Sequence, residues 1–284
     1  MEKHMSEVVY APGSQLRNPR SMLRDMVVDL RASRVLAWRL LVRNISAQYR
    51  QTILGYVWAF LPPIVTTLIW VFLNAQKIFD VGETNVPYPV YVLTGTLVWQ
   101  VFVDAMNSPL RLVSSSRAML VKINFPREAL ILTGIGEVLF NFAVRLVLLV
   151  GIYFWFKIPV PGTVLFAPLG ILALIAFGLM MGLFLTPLSV LYQDIQFGIG
   201  ILTQLLFFLT PIVYPPPTGW PASLLVKANP ISPLLATTRD WLTTGNTFYL
   251  REFLVVSCTT FLLILFGWVL YRIAMPHLIA RISS

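Results

Sequence analysis

One cysteine, two histidines and no Gly-Lys pair occur in 284 residues. A lone Cys258 excludes a disulfide within the chain, and its place inside an apolar run argues against a catalytic thiol. His4 and His277 both lie outside the apolar runs, so a Ser/His pair or an imidazole metal site within a membrane has nothing to build on. Asp104 and Asp194 stand isolated, which leaves no carboxylate cluster for a membrane enzyme. The missing Gly-Lys excludes the phosphate-binding loop GxxxxGK[ST]. Charge is scarce as well: 12% of residues are charged, against about 25% in soluble domains. With 57% hydrophobic residues and a mean hydropathy of +0.76, most of the surface does not face water. The expected class is an all-α integral membrane protein.

Six stretches are long and apolar enough, or nearly so, to cross a bilayer, which takes about 20 residues. They are 53–76, 88–108, 130–156, 163–190, 195–214 and 252–275, the fifth being short with a proline at its end. The first twenty residues are polar and offer no cleavable apolar leader, which places the N-terminus in the cytoplasm. With that orientation, fifteen basic residues fall inside and five outside. This asymmetry follows the positive-inside rule and sets both termini in the cytoplasm. The net charge of +9 is therefore a topology signal and not a nucleic-acid footprint. The expected organisation is a flexible cytoplasmic tail (1–21), an amphipathic interface helix (22–51), a six-span domain (52–276) and a second cytoplasmic tail (277–284).

Three pieces do not span. In 22–51, Val35, Trp38, Val42, Ile45 and Tyr49 share a helical face, with Arg39, Arg43 and Arg50 beside it. That pattern suits a helix lying in the membrane interface, or a plain topology anchor. Residues 108–130 form a long basic connection. Residues 215–248 are proline-rich but hold short apolar runs that predict helices dipping part-way into the membrane between the fifth and sixth spans, where protein must cover their backbone.

The polar residues within the spans are few. Glu137, Asn141 and Arg145 recur at intervals of four and line one side of the third span, as a structural pair through Asn141 or as a wet face. In the first span Tyr56, Phe60, Pro63, Thr67, Trp70 and Asn74 share a face, while Ile53, Val57, Ile64, Leu68 and Val71 lie opposite. In the fifth, Asp194, Phe197, Ile201, Gln204, Phe208 and Pro211 do the same. Aromatic stripes with interspersed hydrogen-bonding groups suit helix packing. They also suit a passing sugar chain, since rings accept its CH-rich faces while its hydroxyls need partners. The residues leave both readings open.

Four motifs in order carry a resemblance: YRQTILGYVWAFLPP, LVKINFPREAL, YQDIQFGIGILTQLLFFLTPIVYP and NPISPLLATTRD. From about residue 35 the chain resembles the membrane (permease) subunit of polysaccharide-export ABC transporters, the family of O-antigen, teichoic-acid and capsule permeases. Gln193 departs from the Arg that often precedes Asp194 in the family's pattern. The resemblance implies a non-catalytic half-transporter in a bacterial inner membrane. It would pair with a second copy of itself and with two cytoplasmic ATPase subunits that bind ATP and Mg, and it would hold no cofactor or metal of its own. Tyr56, Phe60, Thr67, Trp70, Asn74, Phe197, Gln204 and Phe208 would line the substrate channel. Lys122, Pro126, Arg127, Glu128 and Asp194 would couple to the ATPases. Trp220, Asn229, Pro230 and Arg239 would form an outer gate. The cargo would be a polysaccharide, lipid-linked as such polymers are; an exporter of a small drug or lipid shares the six-span plan, and a passive channel would lack the ATPase loop.

Overall fold

The computed structural model describes residues 19–283 except 51–54, 56, 80, 124, 193 and 218. Among them no strand occurs. Two helices, α1 (Pro19–Ala32) and α2 (Arg34–Arg50), precede α3 (Val57–Ala75) and α4 (Tyr88–Ser115). A short α5 (Arg117–Lys122) leads into α6 (Glu128–Phe156). A 3-10 turn at Gly162–Phe166 opens α7 (Ala167–Leu191), followed by α8 (Asp194–Leu209). Two short helices, α9 (Ala222–Ala228) and α10 (Ile231–Thr243), precede the final α11 (Leu250–Ser283).

Five helices are long and apolar enough to cross a membrane: α3, α4, α6, α7 with its leading turn, and α11. The sixth expected span differs. It is α8, 16 residues and so about 24 Å long, shorter than a hydrocarbon core of about 30 Å. After Leu209 the chain leaves the helix and continues as the buried segment Thr210–Val213.

The 108–130 connection is mostly helix. α4 runs to Ser115, seven residues past its expected end, although Pro109 lies within it. A proline there cannot donate to the carbonyl of Ala105. The Ser108 hydroxyl supplies that bond instead, at 3.2 Å, so the helix continues.

The core is the α4–α7 pair. A β-carbon at Gly178 would lie 2.6 Å from the Phe102 carbonyl oxygen, and one at Gly182 would lie 2.5 Å from that of Met106. Two small residues four apart let the backbones meet, which is how helices gain van der Waals contact where lipid offers no hydrophobic drive. Phe102, Met106, Leu174 and Leu183 fill the seam and are fully buried. α6 and α11 flank this pair, and α10 closes one end of it.

The bundle has two distinct ends. At the α1 end sit α1, α2, α5, the starts of α6 and α8 and the end of α11. Here Arg117 donates to the Val190 carbonyl at 3.0 Å and Gln196 to the Ser114 hydroxyl at 3.0 Å. At the α10 end, Tyr153 donates to the Leu242 carbonyl at 2.6 Å and Thr163 to that of Trp241 at 3.1 Å. The segment expected as one interface helix, 22–51, is divided between two helices, α1 and α2, with Ser33 between them, its hydroxyl bonded to the Asp29 carbonyl at 2.6 Å. Met26, Ala37 and Leu40 turn inward, while Val35, Trp38 and Val42 face out.

Candidate functional site

The two aromatic stripes meet, but they are placed differently. On α3, Pro63 and Thr67 are buried and Phe60, Trp70 and Asn74 are half-buried, while Val57, Ile64 and Leu68 are exposed. The Thr67 hydroxyl is spent on the Pro63 carbonyl at 2.7 Å. This stripe is thus the face α3 turns to its own chain. Tyr56 lies outside the described residues.

On α8 the arrangement is reversed. Ile199 is buried and Thr203, Leu206 and Phe207 are partly covered. The predicted stripe points away from the chain: Phe197 is 75% exposed, and Ile201, Gln204 and Phe208 are exposed too. Asp194 begins the same face, also exposed. Trp70 and Phe208 approach with ring centroids 6.5 Å apart. From there the rings continue through Phe207 (5.6 Å) to Trp99 (6.0 Å), Phe102 (5.1 Å) and Phe177 (5.9 Å). Offset and edge-on ring pairs of this kind add about 0.5–1.5 kcal/mol each beyond their buried area. They join α3 and α8 to the core through a single row of contacts.

The α1 end is held by ion pairs. Glu128, the first residue of α6, is only 3% exposed and accepts from Arg272 of α11 at 2.6 Å. The other arm of Arg272 reaches Asp29 of α1, also at 2.6 Å. One guanidinium therefore ties together the first helix, the PREAL segment and the last helix. Glu128 is turned inward and its carboxylate is not offered to a partner in this conformation. Lys122 is exposed, Pro126 and Arg127 are half-buried, and Asp194 lies on the surface of α8. Exposed Val121 and Ile123 flank Lys122, so the outward surface of this segment is apolar with one cation. Gln193 lies outside the described residues.

The intramembrane polar residues pair differently from the expectation. Glu137 and Arg145 do not meet through Asn141. Glu137 receives Asn44 of α2 at 2.7 Å and Arg111 of α4 at 2.5 Å. Arg145 reaches Asp104 of α4 at 2.7 Å, so Asp104 is not isolated. Asn141 is buried between them on the same side of α6. Four residues along a helix make one turn, and Arg145 sits two turns from Glu137. Each charge took the nearest opposite charge on α4, as burial in lipid demands. Asp104 was the signal in the sequence: it is the carboxylate of the second span, and an arginine in the third needs one. The Glu137–Asn44 bond also fixes α2 against the bundle.

At the α10 end the predicted gate residues hold the chain after α8. Arg239 is 2% exposed; it donates to the carbonyls of Pro211 at 2.9 Å and Ile212 at 3.4 Å, and it stacks 3.9 Å from the centroid of the Tyr91 ring. Asn229 donates to the Thr210 hydroxyl at 2.8 Å and accepts from the Ile231 amide at 3.0 Å. Tyr88 and Tyr91 add hydrogen bonds to the carbonyls of Val213 and Tyr214, both at 3.0 Å. The two tyrosines were not foreseen; nothing in a span of mixed composition marks which phenols reach a distant backbone. Pro230 precedes α10, and Trp220 stands fully out. Next to Arg239, burial pushes the Asp240 carboxyl from 3.8 up to about 6, against the pull of the guanidinium. Among the described residues no group of His, Cys, Asp and Glu could hold a metal ion.

An all-helical bundle with five helices long and apolar enough to cross a membrane fits the membrane subunit of a transporter. Residues 35–242 match the ABC-2 type transporter family, and the chain belongs to it. It is 30% identical over 218 residues to the O-antigen export system permease protein RfbA of Myxococcus xanthus, covering 74% of this chain and 81% of that protein. Two Klebsiella pneumoniae proteins of the same name are 22% and 20% identical, over 213 and 249 residues. Those matches cover 73% and 81% of this chain, and 80% and 88% of the relatives.

Proposed function

We propose that this chain is the transmembrane subunit of an ATP-driven exporter that carries a polysaccharide of the O-antigen kind across the cytoplasmic membrane. Two copies pair, and two separate ATPase subunits that bind ATP and Mg drive them. The chain crosses the membrane six times with the α1 end in the cytoplasm, and the basic asymmetry of fifteen to five supports that orientation. α8, short for a span on its own, is completed on its open side by the partner copy.

The observation that carries this reading is the outward face of α8. A helix inside a membrane protein that presents Phe197, Gln204 and Phe208 away from its own chain offers rings for sugar faces and an amide for hydroxyls. Lipid alone gives no reason for the amide. The likeness to three O-antigen permeases over most of their length supports a polysaccharide cargo. The polymer is lipid-linked, its anchor travelling with it. At the cytoplasmic side, Lys122 with exposed Val121 and Ile123 forms the surface that meets the ATPase, and Arg272 relays the push from the PREAL segment to α1 and α11.

The test is co-expression with the ATPase subunit of an exporter of this kind, in cells lacking the native pair. Export of surface polymer that needs both chains, and an ATPase that co-purifies with this one, are the expected results. Polymer export by this chain alone would overturn the reading.

A further inference from the structure

At the α10 end a cavity of about 440 Å³ opens between the end of α9, the start of α10 and the first turns of α11. Pro211, whose carbonyl accepts from Arg239, forms part of its wall, and the open rings of α8 do not reach it. Its rim carries Lys227 and Arg251, and among the described residues neither cation has a hydrogen bond or an ion pair. Glu252 and Tyr249 also reach the rim, so the charge there is positive by one. In its wall lies Ser232, only 2% exposed, whose hydroxyl has no hydrogen-bond partner among the described residues. The remaining lining is apolar, with Val255 and Val256 of α11 among it.

The apolar lining does not stop at the cavity. Val255, Leu262 and Phe266 lie on one face of α11, spaced by seven and four, and all three are exposed. They form a track running from the cavity down the flank of a membrane-crossing helix. The geometry points to a binding site for an anionic phospholipid of the leaflet at this end. The phosphate sits between Lys227 and Arg251 at the mouth of the cavity, and one acyl chain follows the α11 track. The depth fits: Arg251 is at the start of α11, where a spanning helix meets the headgroups, and cations at that level attract anionic lipid. A free phosphate would use the cations but not the track. The proposal needs only that the chain spans a membrane and stands apart from the cargo it exports.

The full chain, purified in detergent and stripped of lipid, is titrated with phosphatidylglycerol, phosphatidylcholine and inorganic phosphate while its thermal melting is followed. Phosphatidylglycerol should raise the melting temperature saturably, and phosphatidylcholine and inorganic phosphate should do so much less. Lys227→Gln with Arg251→Gln should weaken the phosphatidylglycerol response about thirty-fold, as each cation near an anionic headgroup carries roughly a factor of five. Val255→Trp fills the apolar side without touching either cation and should also abolish saturation. Both variants should melt like the parent without lipid, which separates lost binding from lost folding. An unchanged phosphatidylglycerol response in both variants overturns the site. Inorganic phosphate acting as strongly as phosphatidylglycerol overturns the lipid assignment. Loss of polymer export with lipid binding intact would bear on the exporter reading and leave this site standing.

Discussion

The central helices and the outlying ones are built on opposite terms. In the most apolar stretch of α4, 78% of residues are buried within the chain; in that of α3, 11% are. α4 and α7 meet backbone to backbone through Gly178 and Gly182, and their surfaces are used up in doing so. α3 lies against α4 and α6 but buries little beyond Pro63 and Thr67, and α8 meets α7 and α4 with Ile199 buried, a row of rings from Trp70 to Trp99 and the hydrogen bonds that capture its end. α8 keeps its aromatic face open. The lesson is one of division: a closely packed pair that defines the fold, and a lightly covered pair, of which α8 leaves a whole face free. A part that must move is drawn from the weakly held elements.

The largest effect should come from breaking the closely packed pair. Gly178→Leu together with Gly182→Leu forces side chains into opposing backbone, at a cost of about 3 kcal/mol or more at each position. No chain should accumulate in the membrane, as read by quantitative blotting. Accumulation at the parental level would mean that α4 and α7 are not the foundation. Arg272→Ala should come next. It leaves Glu128 buried without this cation and takes one partner from Asp29, which costs about 3–5 kcal/mol. Arg272→Lys should recover part of the melting temperature, since one ammonium can still face one of the two carboxylates.

Arg239→Ala sharpens the comparison from the side of α8. It removes two bonds to the carbonyls of Pro211 and Ile212 and the stack on Tyr91, about 3 kcal/mol in all. The loss should be local: protease cleavage or hydrogen exchange after Leu209 should quicken, with α4 and α7 still protected. Equal deprotection of α4 would show that the two pairs are not separable.

A smaller effect belongs to Asp240. Its folded carboxyl titrates near 6 against 3.8 in the unfolded chain, so between those values the folded chain holds a proton that the unfolded chain has released. Its contribution to stability is greatest below about pH 4 and falls as pH rises to 6, by at most roughly 2–3 kcal/mol. Asp240→Asn should flatten that part of the pH–melting curve and raise stability at pH 7. A slope unchanged in the variant would assign the pH dependence elsewhere.

Much of this was legible beforehand. The long apolar runs marked the starts of five of the helices to within a few residues, because a bilayer demands length and apolarity that chance seldom supplies, while α4 and α11 run on past their expected ends. The stripe on α3 was visible from its spacing, but spacing gives a face and not its neighbour. That is why the same pattern turned inward on α3 and outward on α8. Two differences have a common cause. α4 runs past its expected end at 108, and the Ser108 hydroxyl that carries the turn through Pro109 is a local detail. For Glu137, Asn141 and Arg145 the spacing leaves a pair within the helix or a wet face open, and the partner of Arg145, Asp104, lies 41 residues away on α4. Long-range pairing is a property of the packed bundle. Arg272 shows the same limit: in sequence it is one basic residue near the end, and only folding sets it between Asp29 and Glu128.

The central claim is that the open face of α8 lines the path of the exported polymer and contributes little to the fold. Phe197 tests it most directly, since it is 75% exposed and belongs to no ring pair among the described residues. The measurement is surface polymer and membrane-assembled chain together, in cells whose only copy carries Phe197→Ala. Removing an exposed side chain should shift folding by less than about 0.5 kcal/mol, so assembled chain should stay at the parental level while surface polymer falls several-fold. Parental polymer with parental assembly would contradict the claim, and so would a parallel loss of both.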